Sequence, residues 1–479
     1  MARSLGSSPW LSGAGIVALA LLLSGSYCSW RGYYVPGSLQ GGSTQTTIGP
    51  VGAFASVFVD GTEFADSGAT ITIDGVAASE SELLVGQVAT VGGAQSSATV
   101  GSASTLAVTT KLVGPVEAID LAAGTVTVLG QTVAITGDTS VGPGIAPTDV
   151  GGLGVGELVA VDGYRTTAGL IASRFDLAVA NRAFQVAGPV ANLDGAALTF
   201  TIAGSTIDYS AASGGLPAQI SDGSYVVVSG GTVTAPGTLR AALISAQAEV
   251  PTGSNGAGGS VHGTVTRYGS ATDFDVGGQT VATSATTTYA GGVSTDVGPD
   301  VELEVGGSYD ANGVLDATTV TLVPATNVRV AGPVAAIDAA GLTLTVNGVT
   351  LGTGAETRWD DRSAAQLRTF GFANLQIGDW VIVRGAAAGG ASASGRVVER
   401  WPAPSPALAE LQDVASAVAS PQFTLTGVTV AAVGATFTDV NGASLTPAQF
   451  FGQAAGRVVR ARGTMSGATL VATTVALRD

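Results

Sequence analysis

Residues 330–338 read VAGPVAAID, residues 112–120 read LVGPVEAID, and residues 186–194 read VAGPVANLD. A phrase written three times in one chain asks for a repeat to be sought before anything else. Its glycine recurs as Gly49, Gly114, Gly188, Gly263 (in HGTVTRYG) and Gly332, about 70 residues apart, and a degenerate sixth copy starts at DVASAVAS. The chain therefore reads as about six units.

The order of pieces inside each unit is constant. After the phrase comes an alternating segment: TVTVLG, LTFTIAG, TDFDVGG, LTLTVNG or FTLTG. Alternation with period two gives a strand with one buried and one wet face. It closes on a glycine turn such as Asn347-Gly348; Asp60-Gly61 is a similar hairpin signal. A third strand follows (QTVAIT, STIDYS, QTVATS), and then a short helical turn in several copies. Ser79 with Glu82 and Ser363 with Gln366 read as capping boxes, and Thr446-Pro447 as an N-cap followed by proline at the first helical position. A fourth strand with glycine at both ends (GELVAVDG, GSYVVVSG, GDWVIVRG, GRVVRARG) and a fifth (GLIASRF, GVLDATTVTL) complete the unit. The phrase proline is expected at a strand start, where its missing N–H does least harm.

Three strands, a short helix and two strands predict an all-β fold. It would be a tandem array of about six small five-stranded OB-like barrels after an N-terminal signal segment. An array of immunoglobulin-like sandwiches is the alternative; those need seven strands and about 100 residues each. The expected boundaries are a signal peptide at 1–26, a flexible linker at 27–47, and repeats at 48–112, 113–183 and 184–252. A Gly-rich linker follows at 253–260, then repeats at 261–324, 328–402 and 408–479.

The composition agrees. Hydrophobic residues make up 46% and charged residues 11%, with 70 glycines, which suits turn-rich β structure and argues against disorder. The net charge of −16 disfavours binding to nucleic acid or to an anionic membrane surface. One lysine, one histidine (His262) and one cysteine (Cys28) make a poor toolkit for acid–base or metal chemistry. No enzyme activity, cofactor or metal is implied. Arg3, the apolar run GIVALALLL and the small residues SGS have the layout of a secretory signal, with cleavage expected after Ser26. Lipidation at Cys28 is the rival reading, although Tyr27 stands where a lipoprotein signal wants a small residue. An extracytoplasmic location follows from either, in solution or in the cell envelope.

The segment from Gly49 to Gly93, the G-x-V-x-x-I-D openings and the fourth strands VGELVAVDG and IGDWVIVRG resemble the bacterial domain of unknown function family 5666. The resemblance covers most of residues 48–400 and, more weakly, 408–479. It implies secreted or lipid-anchored envelope proteins and carries no catalytic motif.

The richest polar–aromatic stretch is ETRWDDRSAAQLRTFGFANLQIGDWVIVRG, residues 356–385. Strand phase places Val381 and Val383 in the core and Trp380, Ile382 and Arg384 outward. An outward Trp380 beside Arg384, with Trp359, would be a ligand-binding surface for sugars or protein partners. The competing reading is packing, because Leu158, Tyr225 and Val458 occupy the position of Trp380 in other units. Asp360 and Asp361 read as caps or turn residues, Glu302 and Glu304 as a wet strand face, and His262 as a surface or edge residue. The expected partners are envelope or surface proteins or polysaccharide, with membrane contact only through the lipid anchor. The function read from these observations is a non-enzymatic structural, adhesion or scaffold module, with glycan binding as the alternative.

Overall fold

The computed structural model describes residues 44–54, 56–97, 99–145, 152–250 and 253–478. The expected signal peptide, Cys28 and the linker up to residue 43 lie outside the described residues. Nearly all regular structure is β, and the one α-helix described, Pro447–Phe451, is a single turn. No described helix is long and apolar enough to cross a membrane.

The second unit shows the architecture most simply. Its strands are Leu112–Asp120, Thr125–Val128, Gln131–Val141, Leu158–Arg165 and Leu170–Leu177. Each hairpin pairs antiparallel, the third strand pairs parallel with the fifth, and the fourth returns to the first. The ladder is closed in the order 1-2-3-5-4-1. The units that begin at Thr44–Phe54, Gly258–Ser270 and Val328–Asp338 close in the same order. The sixth does so with its first strand broken into Ala409–Val414 and Ser416–Ala419. In the third unit the first, fourth and fifth strands are each interrupted, so the same order is split between two sheets. Five-stranded barrels thus replace the sandwich alternative.

Local sequence explains the ladders. Asn347 and Gly348 both take positive φ, 50° and 81°, as a tight hairpin turn with the right twist for its strands requires. The core is the inward half of each alternation, such as Val126, Val128, Val159 and Val161, all 0% exposed. The phrase proline differs from expectation. Pro115 and Pro333 lie inside long first strands rather than at their starts. Each is the last residue paired with the fourth strand, and a register shift toward the second strand follows directly. A proline is tolerated there because the ladder is changing partners.

The linkers are also shorter than expected. Thr44–Phe54 begins inside the segment assigned to 27–47, and Gly258–Ser270 begins inside that assigned to 253–260. These early residues have a task. The leading half of a first strand is not covered by its own second strand, and an open edge of that kind invites pairing. Here another unit's first strand covers it. Gln45 to Ile48 pair parallel with Gly258 to Val261, joining the first and fourth units. Leu112 and Val113 pair with Val186 and Gln185, joining the second and third, and Val330 pairs with Leu411, joining the fifth and sixth. Apolar cores merge across the latter two seams: Val128, Phe200 and Val228 belong to one cluster, as do Leu344, Phe423 and Val459. Barrel closure therefore does not remove every edge. The units are welded in pairs rather than strung as separate beads.

The helical turns follow their caps in part. Ser79 N–H donates to Glu82 over the 3-10 turn Glu80–Glu82, and Gln449 N–H donates to Thr446 Oγ1 at the Pro447 helix. No helix follows Ser363. Its N–H donates to Asp361 instead, and the fifth unit's 3-10 turn lies at Phe372–Asn374.

Candidate functional site

The fifth unit's residues do not form an outward face. Trp380, Ile382 and Arg384 are 8%, 5% and 3% exposed. Strand phase does separate them from Val381 and Val383, but the face they occupy is covered by other parts of the chain. Trp380 stands opposite Pro333 in the ladder, as Leu158 stands opposite Pro115 and Tyr225 opposite Pro189. The recurring apolar residue therefore packs across the strand from the phrase proline, a cross-strand pair of the type that stabilises sheets. Trp359, 7% exposed, is in the barrel core, edge-on to Phe370 at 5.8 Å and to Phe372 at 6.2 Å. Trp359 and Trp380 thus offer no open ring face to a ligand.

Arg384 is held inside the molecule. It donates to the carbonyls of Gly137 (2.8 Å) and Thr139 (2.6 Å) in the second unit and pairs with Glu399 at 3.0 Å. Arg358 donates to Asp138 O and Arg362 to Val141 O on the same strand. Three arginines of one barrel thus grip four carbonyls, those of Gly137, Asp138, Thr139 and Val141, along another barrel's third strand. Arg368 reaches the first unit, donating to Leu83 O and pairing with Glu80 while stacking on Phe54 at 3.7 Å. Asp361 accepts from Ser363 N–H and Leu367 N–H, as a turn-capping carboxylate should, and also pairs with Arg400.

His262 is the second departure, since it is buried rather than at the surface. It is 5% exposed, with Nε2 2.9 Å from Glu302 and Nδ1 3.4 Å from Asp60 of the first unit. Glu302 also pairs with Arg396 of the fifth unit at 2.5 Å, and Arg396 reaches Asp138 of the second at 3.2 Å. Tyr164 of the second unit donates to His262 O. Four barrels meet at this point. Burial opposes charge on His262, but Asp60 and Glu302 hold its imidazole protonated well above the ordinary range. Burial would likewise raise Glu302, but Arg396 and His262 hold it below the usual carboxylate range. Glu304 is pushed up to about 9, mainly by burial, with Glu356 and Asp60 adding to it. The wet face expected for Glu302 and Glu304 is a junction between units. A signal for His262 was present in the repeat: the residue before the phrase glycine is Val113, Ala187 and Ala331 elsewhere, and all three are buried.

A cleft of about 540 Å³ lies where the second, fifth and sixth units meet. Arg329, Arg384, Arg460, Arg462 and Arg478 line it, against a single acidic lining residue, Asp439. Only Arg384 among these belongs to the surface read from sequence. Arg329 and Arg462 both donate to Glu410, and Arg460 Nε approaches it at 3.6 Å. Burial would raise Glu410, but these three guanidiniums hold it below the usual carboxylate range. No cluster of three or more His, Cys, Asp or Glu suited to a metal occurs among the described residues.

Closed five-stranded units with a parallel third and fifth strand place the chain in the class of OB-like barrel proteins. Residues 113–174, 262–321 and 331–393 match the family described as domain of unknown function DUF5666, so the chain carries three regions of that family. These are the second, fourth and fifth barrels. No curated protein and no solved structure matches the chain.

Proposed function

We propose that the chain is a non-enzymatic extracytoplasmic scaffold, a stiff block of barrels that holds envelope or surface molecules in place. One observation carries the reading: the arginines of residues 358–384, the stretch richest in ligand-type side chains, are engaged by carbonyls and carboxylates of neighbouring barrels. The cationic groups there make structure rather than a reaction centre. The secretory layout of residues 1–26 supports the location.

The test is cross-linking in the producing cell, followed by fractionation and mass spectrometry of the captured partners. The reading expects the chain outside the cytoplasm, joined to a small reproducible set of envelope components. Recovery in the cytoplasmic fraction, or turnover of an envelope polysaccharide by the purified chain, would overturn it. Glycan binding through aromatic platforms is not favoured, because Trp359 and Trp380 are covered.

A further inference from the structure

We infer that the cleft between the second, fifth and sixth barrels binds an oxyanion carried on a small organic skeleton, a carboxylate or phosphate of sugar size. The inference does not rest on the scaffold reading. A chain with a net charge of −16 has only 19 basic residues, yet five arginines line this one cleft beside a single aspartate. Its volume lies in the usual range for small-molecule sites, ~300–1,000 Å³. Arginine rather than lysine is the residue for this task, because its planar fork matches carboxylate and phosphate oxygens two at a time. The side chains are also positioned in advance. Glu410 receives Arg329 and Arg462, and Gln412 accepts from Arg460 Nε at 2.8 Å, so little ordering remains to oppose binding. Arg462, with 39% of its side chain exposed, and the exposed Arg478 are the lining arginines within reach of an incoming anion. Ile135, Val328 and Val440 add apolar wall, and Thr438 and Thr474 add hydroxyls, which suits the carbon skeleton and polar groups of a sugar acid or sugar phosphate. Free phosphate would satisfy the guanidiniums but not that wall.

The test is isothermal titration of the full chain with glucuronate, glucose 6-phosphate, inorganic phosphate and neutral glucose, at low and high salt. Saturable binding of glucuronate or glucose 6-phosphate, weakened by salt and absent for glucose, is the expected result. Inorganic phosphate should bind more weakly than either. Arg462→Gln should lower the affinity about tenfold or more, since a charge-assisted hydrogen bond is lost. Asp439→Asn, which removes the one lining negative charge, should raise it several-fold and serves if Arg462→Gln folds poorly. Failure of all three anions to bind, equal binding of glucose, or phosphate binding as tightly as the sugar anions would overturn the inference. So would affinities that neither substitution moves.

Discussion

Burial, more than identity, decides what single residues do in this chain. Trp380 has the composition of a binding hot spot but stands opposite Pro333 in its own barrel's ladder and is buried. Trp380→Ala should therefore cost about 3 kcal/mol or more of stability through the cavity it leaves, read as a lower denaturation midpoint of the full chain. An unchanged midpoint would mean that the indole is not packed. Asp162 sits in the second unit's fourth strand, 4% exposed, with Oδ1 lacking a hydrogen-bond partner. Burial, with Asp74 and Asp176 adding to it, pushes its carboxyl up to about 7 against the opposing pull of Arg174 and Arg182. Below pH ~4 the folded and unfolded states both hold this proton, and its contribution is fully present. As pH rises toward ~7 the unfolded chain releases the proton first, so stability falls; above that the loss levels off. Asp162→Asn, neutral throughout, should melt progressively higher than the wild type from pH 5 to pH 8, with an upper bound on the order of 4 kcal/mol. A difference independent of pH would contradict the assignment.

At the scale of the strand, the repeat explains itself through glycine. The phrase GDWVIVRG closes on Gly385, where the ladder of the fourth strand to the fifth slips by one residue before running on to Ala387. A Cβ there would stand 1.6 Å from the Ser394 carbonyl oxygen, and the corresponding bulges at Gly163 and Gly463 leave 2.1 and 1.9 Å to Ile171 O and Val471 O. The closing glycine is thus what lets the fourth strand bend over the fifth and shut the barrel. Gly385→Ala should be far more damaging than a surface substitution, on the order of 2 kcal/mol or more, with urea denaturation as the measure. Gly378 at the other end of the same phrase has nothing within 4 Å of a built Cβ, but its φ of +95° makes alanine costly there through backbone strain instead.

Much of this was legible. The alternation of LTLTVNG, the Asn347-Gly348 turn and the spacing of the phrases specify strands, turns and barrel count, because each is a local signal. The Ser363 box was misleading because a nearer acceptor wins: Asp361, two residues back, takes the Ser363 N–H. The outward reading of Arg384 was right in strand phase and wrong in exposure. Phase gives the face of a strand; it does not say what another barrel lays over that face.

For the whole molecule, the arginines tie four apolar cores, two of them each shared by a pair of barrels, into a connected body. A unit of about 70 residues buries only a modest core by itself. The seams add to it, through merged apolar clusters in two of the pairs and through largely buried ion pairs such as Arg358–Asp138 and Arg396–Glu302. Breaking such a pair from one side leaves a buried charge uncompensated, at a cost of about 3–5 kcal/mol. Arg396 links three barrels, so its loss should be felt well beyond its own. The most direct measurement is differential scanning calorimetry of the wild type and of Arg396→Ala. The account predicts that the wild type melts in fewer transitions than it has barrels, and that the substitution splits off a separate transition at lower temperature. Independent transitions already present in the wild type, with Arg396→Ala affecting at most its own barrel, would contradict it.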